Sequence, residues 1–236
     1  YCGCNTGAAS KAHRLTAYLE ALESEIRMVG RRLGGRARLQ RLSFGGGSPN
    51  AIPPIAFVRL VDRILTTVQG DRPEISIEID PRAMTKDWAL TLAAAQVSRV
   101  SFGVQSFAPH VQQAIGRIQP LSMIETCMSS LRMRGVDKIN FDLMYGLPGQ
   151  SLADLDETLD QVIALRPSRI ALFGYAHLPS QFPRQKRIDA SLLPDAHLRL
   201  LQAFHGFERL VAAGYRAIGF DHFALPDDGL AVAADA

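Results

Sequence analysis

Glu74-Ile75-Ser76-Ile77-Glu78-Ile79-Asp80-Pro81 is the stretch that decides the fold. Ile75, Ile77 and Ile79 alternate strictly with Ser76, Glu78 and Asp80, the pattern of a strand with one apolar and one polar face. Outward from it, Val100, Phe102 and Val104 alternate in the same way with Ser101, Gly103 and Gln105. Ile139, Phe141 and Leu143 repeat the pattern with Asn140 and Asp142, up to the turn Tyr145-Gly146-Leu147-Pro148. Leu42 and Phe44 flank Ser43 in a shorter strand that ends at Gly45; another runs from Ser168 to Tyr175, and Tyr215 to Phe220 reads as a final strand.

Between these strands the period changes to that of an amphipathic helix. Leu15, Tyr18, Leu19, Leu22 and Ile26 mark one from Ser10 onward, and Val58, Val61, Leu65 and Val68 mark another after Pro53-Pro54. Leu152, Leu155, Leu159 and Val162 form the stripe of a third, opened by Ser151 with Asp154 at the capping-box offset. A further helix is expected after Pro194. Such alternation implies parallel βαβ units. Parallel strands buried on both faces are apolar throughout, whereas these carry polar residues at every second position. Ser43, Ser76, Glu78, Gln105, Asn140 and Asp142 are therefore expected to look into one interior. A packed eight-stranded barrel fills its lumen with branched apolar side chains. The polar set predicts instead a wider or partial barrel, holding a polar ligand at the C-terminal ends of its strands.

The composition narrows the function classes. The 236 residues are 47% hydrophobic and 21% charged, enough for one large domain with a proper core. The net charge of +3 is mild and its bearers are scattered, which argues against a nucleic-acid surface; Arg184, Lys186 and Arg187 read as a solvated loop. No apolar run approaches the roughly 20 residues that span a bilayer. Three cysteines make no disulfide framework, which points to the reducing cytoplasm. The missing initiator methionine and the helix-like Leu230 to Ala236 read as the ends of a fragment.

Four features carry chemistry. Cys2 and Cys4, one residue apart in a Gly-Asn loop, have no core to serve and suit metal or redox work. Cys127, in contrast, falls among Leu121, Ile124, Met128 and Leu131 at helical spacing and reads as a buried, inert thiol. Gly45-Gly46-Gly47-Ser48-Pro49 follows a strand, either as a tight turn or as a place where backbone approaches a ligand closely. Glu78 is either a salt-bridged structural acid or an acceptor for a diol such as a ribose. Gln105, Arg117 and Asp142 supply an amide, a guanidinium and a carboxylate, which together suit a zwitterion: the guanidinium forks onto a carboxylate and the aspartate accepts from an ammonium.

Tyr1-Cys2-Gly3-Cys4-Asn5, Phe44-Gly45-Gly46-Gly47-Ser48-Pro49, Glu74 to Pro81, Gly103-Val104-Gln105-Ser106-Phe107, Asn140 to Pro148, Tyr175-Ala176-His177-Leu178-Pro179 and Asp221-His222-Phe223-Ala224-Leu225-Pro226-Asp227-Asp228 follow one another in a familiar order and spacing. Across essentially the whole chain this set resembles the oxygen-independent coproporphyrinogen III oxidases, radical S-adenosylmethionine enzymes of haem biosynthesis. The resemblance implies an α/β fold, a partial (β/α)6 radical S-adenosylmethionine barrel with its first strand missing. Residues 1–214 would form the catalytic partial barrel, and 215–236 the last strand and the start of a truncated C-terminal region.

By the same resemblance, Cys2 matches the last thiolate ligand of a [4Fe–4S] cluster. Cys4 matches the extra, non-ligating cysteine with a catalytic part. Gly46 and Glu78 match contacts to the cluster-bound S-adenosylmethionine, Glu78 through its ribose. Tyr1, Gly47, Ser48, Gln105, Arg117, Asp142 and Ala176 match contacts to a second S-adenosylmethionine; Ser48 stands where threonine is common and keeps the hydroxyl. The implied substrate is coproporphyrinogen III, two of whose propionates become vinyl groups. The implied context is a cytoplasmic monomer served by an unidentified electron donor, with no nucleic acid or membrane partner. The alternative is a haem chaperone of the same superfamily; Cys4 and the Asp221-His222-Phe223 segment favour the oxidase.

Overall fold

The computed structural model describes residues 12–68 and 72–235. The described chain divides into two compact units: one holds the residues up to Val100 with Ser130–Val136, and the other Ser101–Ser129 with the residues from Asp137 onward.

The first unit begins with helix α1 (Ala12–Leu33), strand β1 (Arg41–Phe44), helix α2 (Pro54–Thr67), strand β2 (Glu74–Ile79) and helix α3 (Lys86–Ala94), and it ends in the start of strand β3 (Arg99–Gln105). β1 and β2 run parallel, with Ser43 opposite Ser76 and Phe44 opposite Ile77. The alternation in β2 works as its sequence predicts: Ile75, Ile77 and Ile79 are buried, while Ser76 is half-buried and Glu78 exposed. The core is anchored by Phe57, whose ring lies 4.9 Å from that of Phe44 and 5.4 Å from Trp88. Fully burying such a ring stabilises by about 1.5–3 kcal/mol.

The second unit continues β3 and adds α4 (Pro109–Ala114), α5 (Leu121–Arg132, its last turn in the first unit), β4 (Lys138–Tyr145), α6 (Leu152–Leu165), β5 (Arg169–Gly174), α7 (Ala196–Ala212), β6 (Arg216–Ile218), β7 (His222–Ala224) and α8 (Gly229–Ala234). Its strands lie in the order β3-β4-β5-β7-β6. β4 and β5 are parallel, with Phe141 opposite Ile170 and Asp142 opposite Ala171. Ile139, Phe141 and Leu143 are buried together with Leu155, Leu159 and Val162 of α6. The helix starts where its sequence predicts, at a complete capping box of Ser151 and Asp154. Arg209 of α7 pairs with Asp156 and Asp160 of α6, and His205 with Asp156 at 2.8 Å.

One strand assignment needs correction. The stretch from Tyr215 to Phe220 is not a single closing strand. Tyr215 is buried ahead of β6, with its hydroxyl donating to the Pro167 carbonyl at 2.7 Å, and Phe220 is fully exposed in a turn. The chain doubles back, and β7 takes the place beside β5, antiparallel to both β5 and β6. Parallel pairing needs a crossover of a dozen residues or more, while a tight turn permits only antiparallel pairing; Gly219, at φ +68°, provides that turn. The architecture is α/β with mostly parallel strands and this one antiparallel hairpin. Among the described residues no helix is long and apolar enough to cross a membrane.

Candidate functional site

In the first unit the glycine turn follows β1 directly. The Gly46 N–H donates to Oε2 of Glu78 at 3.4 Å, so the turn and the end of β2 share one carboxylate. A Cβ on Gly45 would stand 2.8 Å from Oε1 of the same group, and Gly46 has φ +75°, a conformation that disfavours side chains. Gly47 and the exposed Ser48 complete the turn, and the Ser48 hydroxyl makes no capping bond to the short helix after it. Ser43 and Ser76 join their hydroxyls at 2.8 Å on the polar side of the same two strands.

Asn50, which carried no signal in the sequence, fixes this arrangement. Its amide donates to the Asp80 carbonyl at 2.8 Å and accepts from the Asp80 N–H at 3.0 Å. At 4% exposure it is a buried two-way clamp between the glycine turn and the end of β2. Buried amides need such partners, and a single sequence does not show which asparagine will find them. Exposed backbone N–H groups and a held carboxylate suit a hydroxylated ligand such as a ribose.

In the second unit the polar faces of β3 and β4 meet. Asn140 donates to the Ser101 hydroxyl at 2.7 Å and to Oδ1 of Asp142 at 2.8 Å, while Ser101 donates to Oδ2 of Asp142 at 3.0 Å. Burial raises the Asp142 carboxyl above its ordinary range. The bonds from Asn140 and Ser101, and the charges of His222 and Arg117, oppose that rise. A carboxylate so placed is ready to be ionised by an arriving cation.

Gln105 and Arg117 come together over Gly103. A Cβ there would lie 2.9 Å from Nε2 of Gln105 and 3.0 Å from Nη2 of Arg117, so glycine is what admits both groups. Gln105 takes φ +71°, a strained conformation for a non-glycine residue and of the kind that collects at functional sites. Two glutamines missed by sequence reasoning hold the loop. Gln119, fully buried, accepts from Nε of Arg117 at 3.0 Å and donates to the Gly103 carbonyl at 2.9 Å. Gln112 donates to the Ser106 and Gln119 carbonyls and accepts from the Gln119 N–H, at 2.8, 2.7 and 2.8 Å. Nε of Arg117 is thus occupied, and its Nη2 reaches the space over Gly103. Gln105 and Arg117 therefore meet over Gly103, and the Arg117 charge acts on the Asp142 carboxyl.

Ala176, the remaining residue of the expected set, is exposed, and its carbonyl accepts from the buried Gln185 at 2.9 Å. Tyr1, Cys2 and Cys4 lie outside the described residues. Cys127 is buried on α5, and burial pushes its thiol up to about 11; the inert reading holds.

Residues 1–162 match the model of the Radical SAM superfamily. The chain belongs to that superfamily. It is 41% identical over 99% of its length to the oxygen-independent coproporphyrinogen III oxidase of Bradyrhizobium diazoefficiens, and 40% identical over its full length to that of Pseudomonas aeruginosa, covering 52% of each. The solved coproporphyrinogen III oxidase HemN of Escherichia coli superposes with a TM-score of 0.95 at 37% identity, over 99% of this chain and 54% of that one. The chain spans about half the length of these relatives. An archaeal Elp3 from Methanocaldococcus infernus, at 14% identity and a TM-score of 0.61, shares the fold alone. The α/β architecture is thus that of a radical SAM enzyme, and the family implies a [4Fe–4S] cluster and S-adenosylmethionine.

The two groups fare differently against the residues present. S-adenosylmethionine offers a diol, an ammonium and a carboxylate, and the glycine turn with Glu78 and the Gln105, Arg117, Asp142 face have the complementary chemistry. The cluster takes several thiolates. Of the three cysteines Cys127 is buried in a helix, and among the described residues no group of three metal ligands converges. The described residues do not supply a cluster's ligand set.

Proposed function

We propose that this chain is the radical SAM portion of an oxygen-independent coproporphyrinogen III oxidase, which converts two propionates of coproporphyrinogen III to vinyl groups and yields protoporphyrinogen IX in anaerobic haem biosynthesis. The observation that carries the reading is identity near 40% across the whole chain to relatives named for that activity. Each propionate loses one hydrogen atom from its β-carbon, carbon dioxide and one electron. S-adenosylmethionine, once bound, supplies the hydrogen abstraction. An electron acceptor takes up the electron, and a separate, unidentified electron donor starts each cycle.

The chain's residues divide between two S-adenosylmethionine molecules. Gly46 and Glu78 receive one, through a backbone N–H and a carboxylate held for a ribose diol. Gln105, Arg117 and Asp142, with Tyr1, Gly47, Ser48 and Ala176, receive the other, with Arg117 on its carboxylate and Asp142 on its ammonium. Cys2 is assigned to the cluster as one ligand, and Cys4 to turnover rather than to iron. The setting is a cytoplasmic monomer without nucleic acid or membrane partners.

The test is anaerobic turnover by a full-length protein that carries this sequence, with reconstituted cluster, coproporphyrinogen III and a reductant. Protoporphyrin recovered after oxidation supports the oxidase. Tight haem binding with no decarboxylation would instead identify the haem chaperone of the same superfamily.

A further inference from the structure

The oxidase reading leaves one polar residue of the Asp142 face without a task. Asp142 lies opposite Ala171 in β5, and Ala171 lies opposite His222 in β7, so the three form one row across the sheet. Residues paired in this way project from the same side. Two strand spacings put Asp142 and His222 about 10 Å apart at their backbones, with Ala171, itself buried, between them in the row. The imidazole is exposed, and its ring meets Phe173 edge-on with centroids 5.7 Å apart. That contact packs the ring against Phe173 while the residue remains exposed. The other polar groups of the row and its neighbour are occupied: Asn140 bonds to Ser101 and Asp142, and Arg169 to Asp228 at 2.7 Å.

The charges are arranged in sequence. Arg117 flanks Asp142 from the β3 side and His222 from the β7 side, and both act on its carboxyl electrostatically. A zwitterion that places its ammonium on Asp142 and its carboxylate on Arg117 uses the β3 side alone. A second anionic group approaching from the β7 side would be repelled by Asp142 and needs a cation of its own, which His222 provides.

We infer that His222 is a ligand-contacting residue that receives a carboxylate of the substrate, across Ala171 from Asp142. The inference rests on the oxidase reading, in which the substrate is a tetrapyrrole bearing several propionates. It assigns one of those carboxylates to β7, on the hairpin whose sequence, Asp221-His222-Phe223, set this chain apart from the chaperone reading.

The probe is coproporphyrin III, the stable oxidised form of the proposed substrate, titrated by absorbance and fluorescence into a full-length protein that carries this sequence. His222→Gln should weaken its binding about tenfold, the worth of one charge-assisted contact. His222→Lys, which restores a cation, should recover binding to within about threefold, and both variants should bind S-adenosylmethionine as the unaltered protein does. Because His222 is exposed, melting temperatures should also agree among the three. Unchanged coproporphyrin III affinity in His222→Gln, or equal loss in the Gln and Lys variants, overturns the assignment while leaving the oxidase reading standing. Failure of the unaltered protein to bind coproporphyrin III at all overturns the oxidase reading and the assignment with it.

Discussion

The Glu78 carboxylate occupies the space that a side chain on Gly45 would need: a Cβ there would be 2.8 Å from Oε1 and 3.0 Å from Cδ. The neighbouring Gly46 N–H bonds to the other oxygen. The two glycines therefore serve different ends, one making room for the carboxylate and the other giving the backbone a φ of +75°.

Gly45→Ala should push aside the flexible end of Glu78 without straining the backbone. Stability is expected to change by less than about 1 kcal/mol, while S-adenosylmethionine affinity falls about tenfold. Gly46→Ala should cost stability itself, about 1–2 kcal/mol, because a left-handed backbone disfavours any Cβ. Thermal melting and equilibrium dialysis together separate the two. Equal destabilisation in both variants would show that Gly45, too, is only a turn residue.

Asp142 sets a pH dependence with a definite sign. Burial raises its carboxyl above the unfolded value of about 3.9, so the folded chain holds that proton more tightly than the unfolded one. The group therefore favours folding at the acid end, and that contribution is lost as pH rises from the unfolded value through the raised one. Binding of an ammonium requires the ionised form and runs the other way: affinity should fall on acidification, starting above the ordinary carboxylate range. Asp142→Asn should abolish both the ammonium binding and its pH dependence, while melting no lower than the original at neutral pH. A variant that melts much lower would mean the carboxylate is mainly a structural partner of Asn140 and Ser101.

The sequence displays those parts of the fold and site that depend on local period and residue type. The isoleucines of β2 and the Ile139, Phe141, Leu143 set announce their strands because one face is buried and the other is not. Glu78, Gln105 and Asp142 were legible as polar residues at alternate positions of those strands. The hairpin of β6 and β7 was not, since each strand is three residues long and too short to show alternation. Asn50, Gln112 and Gln119 were equally hidden. Their task is to bond backbone groups close to them in space, and amides in loops have no periodicity to give them away. His222 showed its residue type, but its alignment with Asp142 depends on a register that only the folded sheet reveals.

Arg117 and its support can be separated by mutation. Arg117→Ala should weaken binding of S-adenosylmethionine at the second site about tenfold or more, at a smaller cost in stability from the lost bond to Gln119. Gln119→Ala should do both, since the buried side chain also holds the Gly103 carbonyl. About 1–3 kcal/mol of stability is at stake, a fall of several degrees in melting temperature for a chain of this size. Equal melting of the two variants would show that Gln119 is dispensable to the loop.

Cys127 should be silent toward thiol reagents in the folded chain. Burial has pushed its thiol up to about 11, so little thiolate exists at neutral pH, and the thiolate is the reactive form. Labelling of the folded chain at pH 7.5 should therefore leave Cys127 unmodified, with its thiol appearing on addition of denaturant. Rapid labelling of Cys127 in the folded chain would contradict the burial on α5.

The last prediction concerns how many cofactors the chain's two polar sites take. In a full-length protein that carries this sequence, with its cluster reconstituted, S-adenosylmethionine should bind at about two per chain, since the Glu78 carboxylate and the Arg117, Asp142 pair each offer a separate set of charge-assisted contacts. Asp142→Ala should reduce the number to about one and leave the iron content unchanged, because the residue it removes accepts an ammonium and touches no thiolate. Glu78→Gln should remove the other molecule instead, as it weakens an acceptor for a ribose diol while sparing the second face. The doubly altered protein should bind none. The two losses should be separable, because Glu78 and Asp142 belong to different sets and each is held by its own partners, the Gly46 N–H in one case and Asn140 with Ser101 in the other. A single bound molecule in the unaltered protein, lost in both variants alike, would mean that the two sets of residues serve one ligand.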